Sequence, residues 1–457
     1  MLRVAVVGSG PSGVYTADAL TRQESVPDVA VDVLDRLPCP YGLVRYGVAP
    51  DHEKIKSLQG SLRKVLEDPR VRFLGNVGVG PAPLTPERLL GLYHAVVYCV
   101  GAATDRRLGV PGEELPGSYS ATRFVSWYSA HPDEPPDGFA LRARSAVVIG
   151  VGNVAVDVAR VLARRADELR RTDVPEAALR ALADSRVTDI HMVGRRGPSQ
   201  AKFTTKELRE LGALADTDVI VREDELALDP AYAAPSGLPT AARRNVEVLR
   251  SWAAQPPRGR PRRLHVRFFL RPTAFLADEA GRVRAVRFTR TGPDGRGGVS
   301  DTGGGEEIDA GLVLRSVGYQ GVPLPGLPFD PRGAVVPNDA GRVLRDGTPS
   351  PGEYVAGWIK RGPTGVIGTN RPCAKETATA LLADAPGLLT RELSADPLAG
   401  LRAAGVRPVA WRGWLAIEAA EAEWGRSLDR GTVKIPDWEG LLTAAGHSSS
   451  PPAEGPA

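Results

Sequence analysis

Cysteine is scarce in this 457-residue chain: Cys39, Cys99 and Cys373 stand far apart, and no C-x-x-C pair occurs. That excludes a redox dithiol, a thiolate-rich metal site and a four-cysteine iron–sulfur cluster. Each cysteine reads instead as a small buried apolar residue in a reducing compartment. Long apolar runs are missing too. Nothing reaches the ~18 residues of a membrane-spanning helix, and the apolar stretch at 4–7 is too early and too short for a secretory leader. These absences place the protein in the cytoplasm. Neither charge is in excess, with 58 Lys plus Arg against 54 Asp plus Glu and a net charge of +4. Such a balance gives no ground for nucleic-acid binding, although it leaves a local basic patch open.

Glycine, by contrast, is placed with purpose. The apolar run at 4–7 leads into Gly8-Ser9-Gly10-Pro11-Ser12-Gly13, and a second apolar run, 29–34, ends at Asp35. About 140 residues later the pattern recurs: an apolar run at 146–149, then Gly150-Val151-Gly152-Asn153-Val154-Ala155, and a later strand at 190–193 that runs into Gly194-Arg195-Arg196. A glycine turn between strand and helix lets the backbone approach a pyrophosphate, which then sits at the partly positive helix N-terminus. The two units differ in the residue that reads the ribose. A carboxylate at 35 accepts from free ribose hydroxyls and repels a 2′-phosphate, so the first site is expected to hold FAD. Arg195 and Arg196 offer two permanently charged forks that suit a phosphate, so the second is expected to hold NADP. Arg195 follows Gly150 by 45 residues rather than the usual ~20, and a helical stretch over 156–183 accounts for the excess. Within it the charged segment 164–171 reads as a solvated helix face.

The chain is long enough for two or three domains. The apolar segment 94–101 reads as a buried strand ending in a glycine turn, and 309–318 repeats that exit. Segment 102–144, rich in Pro-Gly turns, reads as a connection. Segments 281–286 and 292–305 read as strands joined by loops, the second glycine-rich and mobile. A further strand ends at Gly357, and the loop 362–370 opens a helix from about Pro372. The fold class expected is α/β, with two Rossmann-like dinucleotide-binding domains. The FAD domain is discontinuous, over 1–101 and 319–457, and the NADP domain spans 102–318. The tail after about 445 is expected to be disordered.

Longer segments carry a more specific signal. LPCPYGLVRYGVAPDH at 37–52, VGNV at 151–154, GRRGP at 194–198, FTTKELRE at 203–210 and GWIKRGPTGVIGTN at 357–370 resemble the adrenodoxin reductase-like family of ferredoxin–NADP reductases, in order and spacing over roughly residues 1–440. The resemblance implies that FAD takes a hydride from NADPH and passes electrons singly to a ferredoxin-type iron–sulfur protein, with a cytochrome P450 system as a conceivable consumer downstream. Flavin is the needed converter, because nicotinamide gives two electrons together and the cluster takes one.

Carried onto this chain, the resemblance makes Ser12, Asp35, Leu43, Gly78, Trp358, Gly365, Val366 and Ile367 FAD-contacting positions. It makes Val151, Gly152, Asn153, Val154, Arg195, Arg196, Glu207 and Gly365 NADP-contacting positions. His52 and Glu210 match a pair placed near the nicotinamide and flavin. The amides of 365–367 suit the flavin N1–O2 edge, where negative charge collects on reduction. Glu207 and Glu210, three apart on a helix, share a side. Asp51 is expected to cap the helix after His52. Asp35 stands where the family often has Glu, keeping the charge with a shorter reach, and Lys202 and Lys206 read as solvated. Arg160, Arg164 and Arg165 are candidates for meeting an acidic ferredoxin. Two other functions fit the same scaffold: an NADPH-dependent flavin oxidoreductase with a different acceptor, and a non-catalytic NADPH-binding flavoprotein.

Overall fold

The computed structural model describes residues 1–394 and 396–447, so the expectation of a disordered tail falls largely outside the described residues. The chain divides into two compact units. One comprises residues 1–48, 52–104 and 319–457, the other 49–51 and 105–318.

The first unit is built on an eight-stranded sheet. Its strands lie in the order Asn338–Asp339, Arg342–Arg345, Thr348–Val355, Ala95–Tyr98, Leu2–Val7, Val29–Leu34, Val71–Gly75 and Val409–Ala410. The five central strands are parallel. Their runs are apolar without alternation because helices and loops cover both faces. Val4, Val6, Val31, Val33, Ala95 and Val97 pack on one side, and Ala5, Leu34, Val96 and Tyr98 on the other. Each Val or Leu so buried contributes roughly 1.5–3 kcal/mol.

Segment 37–48 is anchored in this unit by a buried ion pair. Arg45 Nη2 lies 2.5 Å from Glu421 Oε1 of helix Trp411–Ser427, with the Tyr46 and Trp414 rings 5.0 and 5.1 Å from the guanidinium carbon. Lys434 Nζ donates to the Arg45 carbonyl at 2.6 Å. Burial works against the Arg45 cation, but the Glu421 carboxylate outweighs it and holds the pKa above the ordinary arginine value.

The second unit holds a six-stranded parallel sheet in the order Ser118–Ser120, Leu312–Arg315, Ser145–Ile149, Asp189–Val193, Arg262–Arg267 and Thr217–Val221. A three-stranded antiparallel sheet, Leu270–Ala277, Val283–Pro293 and Val299–Asp309, belongs to the same unit. Three sequence readings are refined or changed here. The helical stretch over 156–183 is made of three helices, Asn153–Ala163, Ala166–Leu169 and Glu176–Ala183. The glycine-rich 292–305 stretch is no mobile loop through its length, because most of it lies in the antiparallel hairpin. Segment 102–144 is more than a connection, since it supplies a sheet strand and helix Ala121–Tyr128, whose Phe124, Trp127 and Tyr128 are core residues.

Candidate functional site

On the first unit, strand Leu2–Val7 ends at Gly8 with φ +110°, and helix Pro11–Arg22 starts from Gly10 with no side-chain cap. The first-turn amides of that helix are therefore left for an anion. The third glycine is a packing requirement: a Cβ on Gly13 would sit 1.8 Å from the Gly8 carbonyl oxygen. Segment 37–48 lies across the turn, with Tyr41 N donating to Ser9 O at 3.1 Å. It carries Leu43, the first residue of helix Leu43–Tyr46, with its side chain exposed.

Asp35 sits at the end of strand Val29–Leu34. Its Oδ2 accepts from Ser9 N at 2.8 Å and Ser9 Oγ at 2.5 Å, and its Oδ1 accepts from Leu37 N at 2.9 Å. Burial raises its pKa, opposed by those Ser9 and Leu37 hydrogen bonds. A Ser9→Ala variant is therefore expected to weaken FAD binding about tenfold, the lower end for a hydrogen bond to a charged group. It is also expected to move the acid limb of FAD release to higher pH, because the Ser9 hydroxyl no longer holds the carboxylate ionised. Flavin fluorescence on titration with acid reads both; an unmoved limb would show that Asp35 is not the titrating group.

The return segment brings Trp358, Gly365, Val366 and Ile367 into the same unit. Trp358 follows strand Thr348–Val355 and packs on the Tyr319 ring at 5.2 Å. Gly357 lies close to the first helix, since a Cβ there would come within 2.5 Å of Ser12 Oγ. Gly365 has φ +82° and Val366 is 63% exposed, just before the turn Ile367–Thr369 and helix Asn370–Leu388. Gly78 is exposed between the buried Val77 and Val79 after strand Val71–Gly75, with no atom within 4 Å of a Cβ placed there. His52 is buried at the N-cap position of the short helix Glu53–Lys56. Asp51 is not that helix's cap, contrary to the sequence reading. Its carboxylate is taken by Arg160, at 2.8 and 2.9 Å.

On the second unit the same turn recurs with different chemistry around it. Strand Ser145–Ile149 ends at Gly150, and helix Asn153–Ala163 starts from Gly152, again with no side-chain cap. A Cβ on Gly152 would meet nothing within 4 Å, so the approach to Val151, Gly152, Asn153 and Val154 is open. Segment 202–204 is fixed across the turn by Lys202 N to Val151 O at 2.9 Å and Thr204 N to Asn153 Oδ1 at 2.8 Å.

Arg195 and Arg196 follow strand Asp189–Val193. Their backbone is pinned, with Thr291 Oγ1 donating to Arg195 O at 2.7 Å. Among the described residues their side chains take part in no ion pair, whereas Arg263 and Arg267 nearby in the sheet are bound to Asp189 and Glu225. Two uncommitted guanidinium groups at this strand end are what a ribose phosphate needs. Glu207, on helix Thr205–Gly212, is 8% exposed, and Glu210 one turn later meets Arg160 at 3.1 Å and Lys206 at 3.8 Å.

Three orphaned atoms test the fit of the cofactors. Ser12 Oγ, Trp358 Nε1 and Glu207 Oε2 are buried and make no hydrogen bond within the protein. An unsatisfied buried polar group costs about 1–3 kcal/mol, and all three belong to the positions implied to touch FAD or NADP. The residues present therefore fit the two dinucleotides.

A family model described as pyridine nucleotide-disulphide oxidoreductase matches residues 2–212. The NADPH-ferredoxin reductase FprA of Mycobacterium leprae is 43% identical over 452 residues, covering 96% of this chain and 97% of that protein. The mitochondrial NADPH:adrenodoxin oxidoreductase of Arabidopsis thaliana is 39% identical, covering 97% and 95%. A solved structure of Mycobacterium tuberculosis FprA in complex with NADPH superposes with a TM-score of 0.90 at 43% identity, covering 97% of this chain and 99% of that one. The chain belongs to the NADPH-ferredoxin reductase family.

Within that family the disulphide chemistry of the broader family model has no counterpart on this chain. Cys39, Cys99 and Cys373 are all buried and free. Burial pushes the Cys39 thiol up to about 11 and the Cys99 thiol up to about 12, so neither offers a thiolate at neutral pH. The basic residues put forward for docking a ferredoxin also change. Arg160 is wholly buried, Arg164 pairs with Asp51, and Arg165 pairs with Asp167 and Asp216. Arg160 therefore cannot dock a partner, whereas Arg165, 53% exposed and in surface ion pairs, still presents its charge to solvent. Sequence reasoning missed Ser9 as the partner of Asp35 and Arg160 as the partner of Glu210. A charge flanked by Val158, Ala159, Val161 and Leu162 was the available signal for the second.

Proposed function

We propose that this reductase takes reducing equivalents from NADPH into a bound FAD and delivers them to a ferredoxin-type iron–sulfur protein. The observation that carries the reading is the opposed chemistry of two uncapped helix starts: a carboxylate, Asp35, at one, and the unpaired Arg195 and Arg196 at the other. When bound, FAD supplies the conversion of a two-electron donor to one-electron steps.

The chain's own residues do the rest. The Pro11–Arg22 and Asn153–Ala163 helix starts bind the two pyrophosphates. Ser12 and Trp358 offer donors toward the flavin dinucleotide, and the 365–367 amides stabilise negative charge at the N1–O2 edge. Glu207 accepts from the nicotinamide nucleotide, Glu210 orients the nicotinamide carboxamide, and His52 is the catalytic candidate of the first unit. No described helix is long and apolar enough to cross a membrane. We place the reaction in the cytoplasm, with a cytochrome P450 system as a downstream consumer of the reduced ferredoxin.

Anaerobic stopped-flow absorbance of the flavin-loaded protein tests the reading. Fast bleaching by NADPH, slow bleaching by NADH and reoxidation by an added ferredoxin are expected. Bleaching without reoxidation by any ferredoxin would move the acceptor to another class, and purified protein without flavin would remove the enzyme reading.

A further inference from the structure

The second unit contains a charge that the proposed function has not used. Arg160, on helix Asn153–Ala163, has a side chain that is 0% exposed. Its guanidinium meets three carboxylates: Asp51 through Nε and Nη2 at 2.8 and 2.9 Å, Asp157 through Nη1 at 2.8 Å, and Glu210 through the same Nη1 at 3.1 Å. Arg164 Nε also lies 3.1 Å from Asp51, and Lys206 Nζ lies 3.8 Å from Glu210. Breaking a buried ion pair by removing one partner leaves the other charge uncompensated. Here the lost guanidinium is one shared by three carboxylates.

The helix that carries Arg160 is the one whose first turn faces the NADP pyrophosphate, and Glu210 lies on another helix, Thr205–Gly212. Segment 202–204, which leads into that second helix, is also tied to the glycine turn, through Asn153 and Val151. Glu210 is thus referenced to the nucleotide-binding helix at both ends of a short span of chain. Asp51, the residue before His52, is referenced to the same helix.

We propose that Arg160 is a positioning residue of the reaction: it holds the Glu210 carboxylate fixed relative to the helix proposed to bind NADP, and fixes the chain at Asp51 by the same guanidinium. This rests on the reading of Glu210 as a residue that orients the nicotinamide. Burial alone works against the Arg160 cation, but the Asp51 hydrogen bonds and the charges of Asp157 and Glu210 outweigh it, so it stays charged. Without it the Glu210 carboxylate loses the 3.1 Å contact that ties it to that helix. A displaced Glu210 no longer presents an acceptor to a carboxamide N–H.

The test uses flavin-loaded protein in four forms besides the native one: Arg160→Met, Arg160→Lys, Glu210→Gln and the Arg160→Met, Glu210→Gln double variant. Flavin reduction by NADPH is followed by stopped flow, alongside NADP⁺ affinity by difference absorbance. Arg160→Met is expected to slow reduction at saturating NADPH about 10- to 100-fold, the range for hydrogen bonds to charged groups. NADP⁺ affinity should change much less. The double variant should be no slower than the slower single one.

Arg160→Lys keeps the charge without the fork, so it should recover much of the rate, and it serves the same comparison if Arg160→Met does not retain flavin. Slowing that multiplies across the double variant, or a native rate in Arg160→Met, overturns the inference while leaving Glu210 in its role. A native rate in Glu210→Gln overturns the reading of Glu210, and the inference with it.

Discussion

An Arg195→Ala, Arg196→Ala double variant is expected to lose most of the preference for NADPH over NADH. Each guanidinium contact to a phosphate is a charge-assisted hydrogen bond worth about 1.5–3 kcal/mol, so the pair supplies about 3–6 kcal/mol, or roughly 10²- to 10⁴-fold in selectivity. The lower end is the expected result. Arg195 is exposed and Arg196 half-buried, so salt and water screen both contacts. The loss should fall on NADPH rather than on NADH, which has no phosphate for these residues to hold. Because neither side chain is engaged in an ion pair among the described residues, truncation strands no buried carboxylate, and stability should hardly change. The ratio of flavin reduction rate to dissociation constant, measured for both nucleotides, decides it. Selectivity equal to that of the native protein would place the 2′-phosphate elsewhere.

The second large effect is a single methyl group. Gly13→Ala would place a Cβ 1.8 Å from the Gly8 carbonyl oxygen and 3.2 Å from Val6 Cγ1. The nearest atom is backbone in the strand turn itself, so relief requires helix Pro11–Arg22 to move away. That movement takes the first-turn amides and Ser12 with it. Overpacking costs about 1–3 kcal/mol and occasionally more, and here the cost falls on the pyrophosphate site as well as on the fold. The expected product is a protein that purifies with little flavin, read from its flavin-to-protein absorbance ratio. Gly60→Ala supplies the control: it lies in helix Leu58–Leu66 with no atom within 4 Å of an added Cβ, so it should be neutral or slightly stabilising. Full flavin content in Gly13→Ala would show that the helix can slide without harm. The second turn already carries the methyl, as Ala155, which is fully buried.

The two turns were legible because their cause is local. A glycine forced by a carbonyl 2.5 Å from its missing Cβ, as at Gly8 against Cys99 O, leaves its mark in the sequence whatever surrounds it. The parallel strands were legible for a similar reason, as short apolar runs ending at those glycines. Long-range partners were not. Asp51 obeys the local rule for a helix cap, but a guanidinium 109 residues away claims its carboxylate. Strand Val299–Asp309 contains three successive glycines, which suggested mobility, yet it pairs along Val283–Pro293, where cross-strand contacts override propensity. The charged segment 164–171 was read as a helix face, but the extended backbone at Arg164 and Arg165 divides the helical stretch there. Ser9 went unremarked because a serine inside a glycine turn carries no signal until its carboxylate partner is seen.

The second unit interrupts the first, and its two ends close on themselves: Arg106 N donates to Gly318 O at 2.9 Å. Strand Ala95–Tyr98 meanwhile waits for Thr348–Val355, its parallel neighbour some 255 residues later in the chain. During synthesis at about 5–20 residues per second, that wait lasts on the order of 10–50 seconds, with a fully apolar strand edge uncovered. Folding of the interrupting unit shortens it in another sense, because joining residues 106 and 318 replaces a loop of over two hundred residues with one of a few tens and lowers the closure entropy. A folded nucleotide-reading unit therefore leaves the flavin unit only a short span of chain to close when strand Thr348–Val355 joins its sheet.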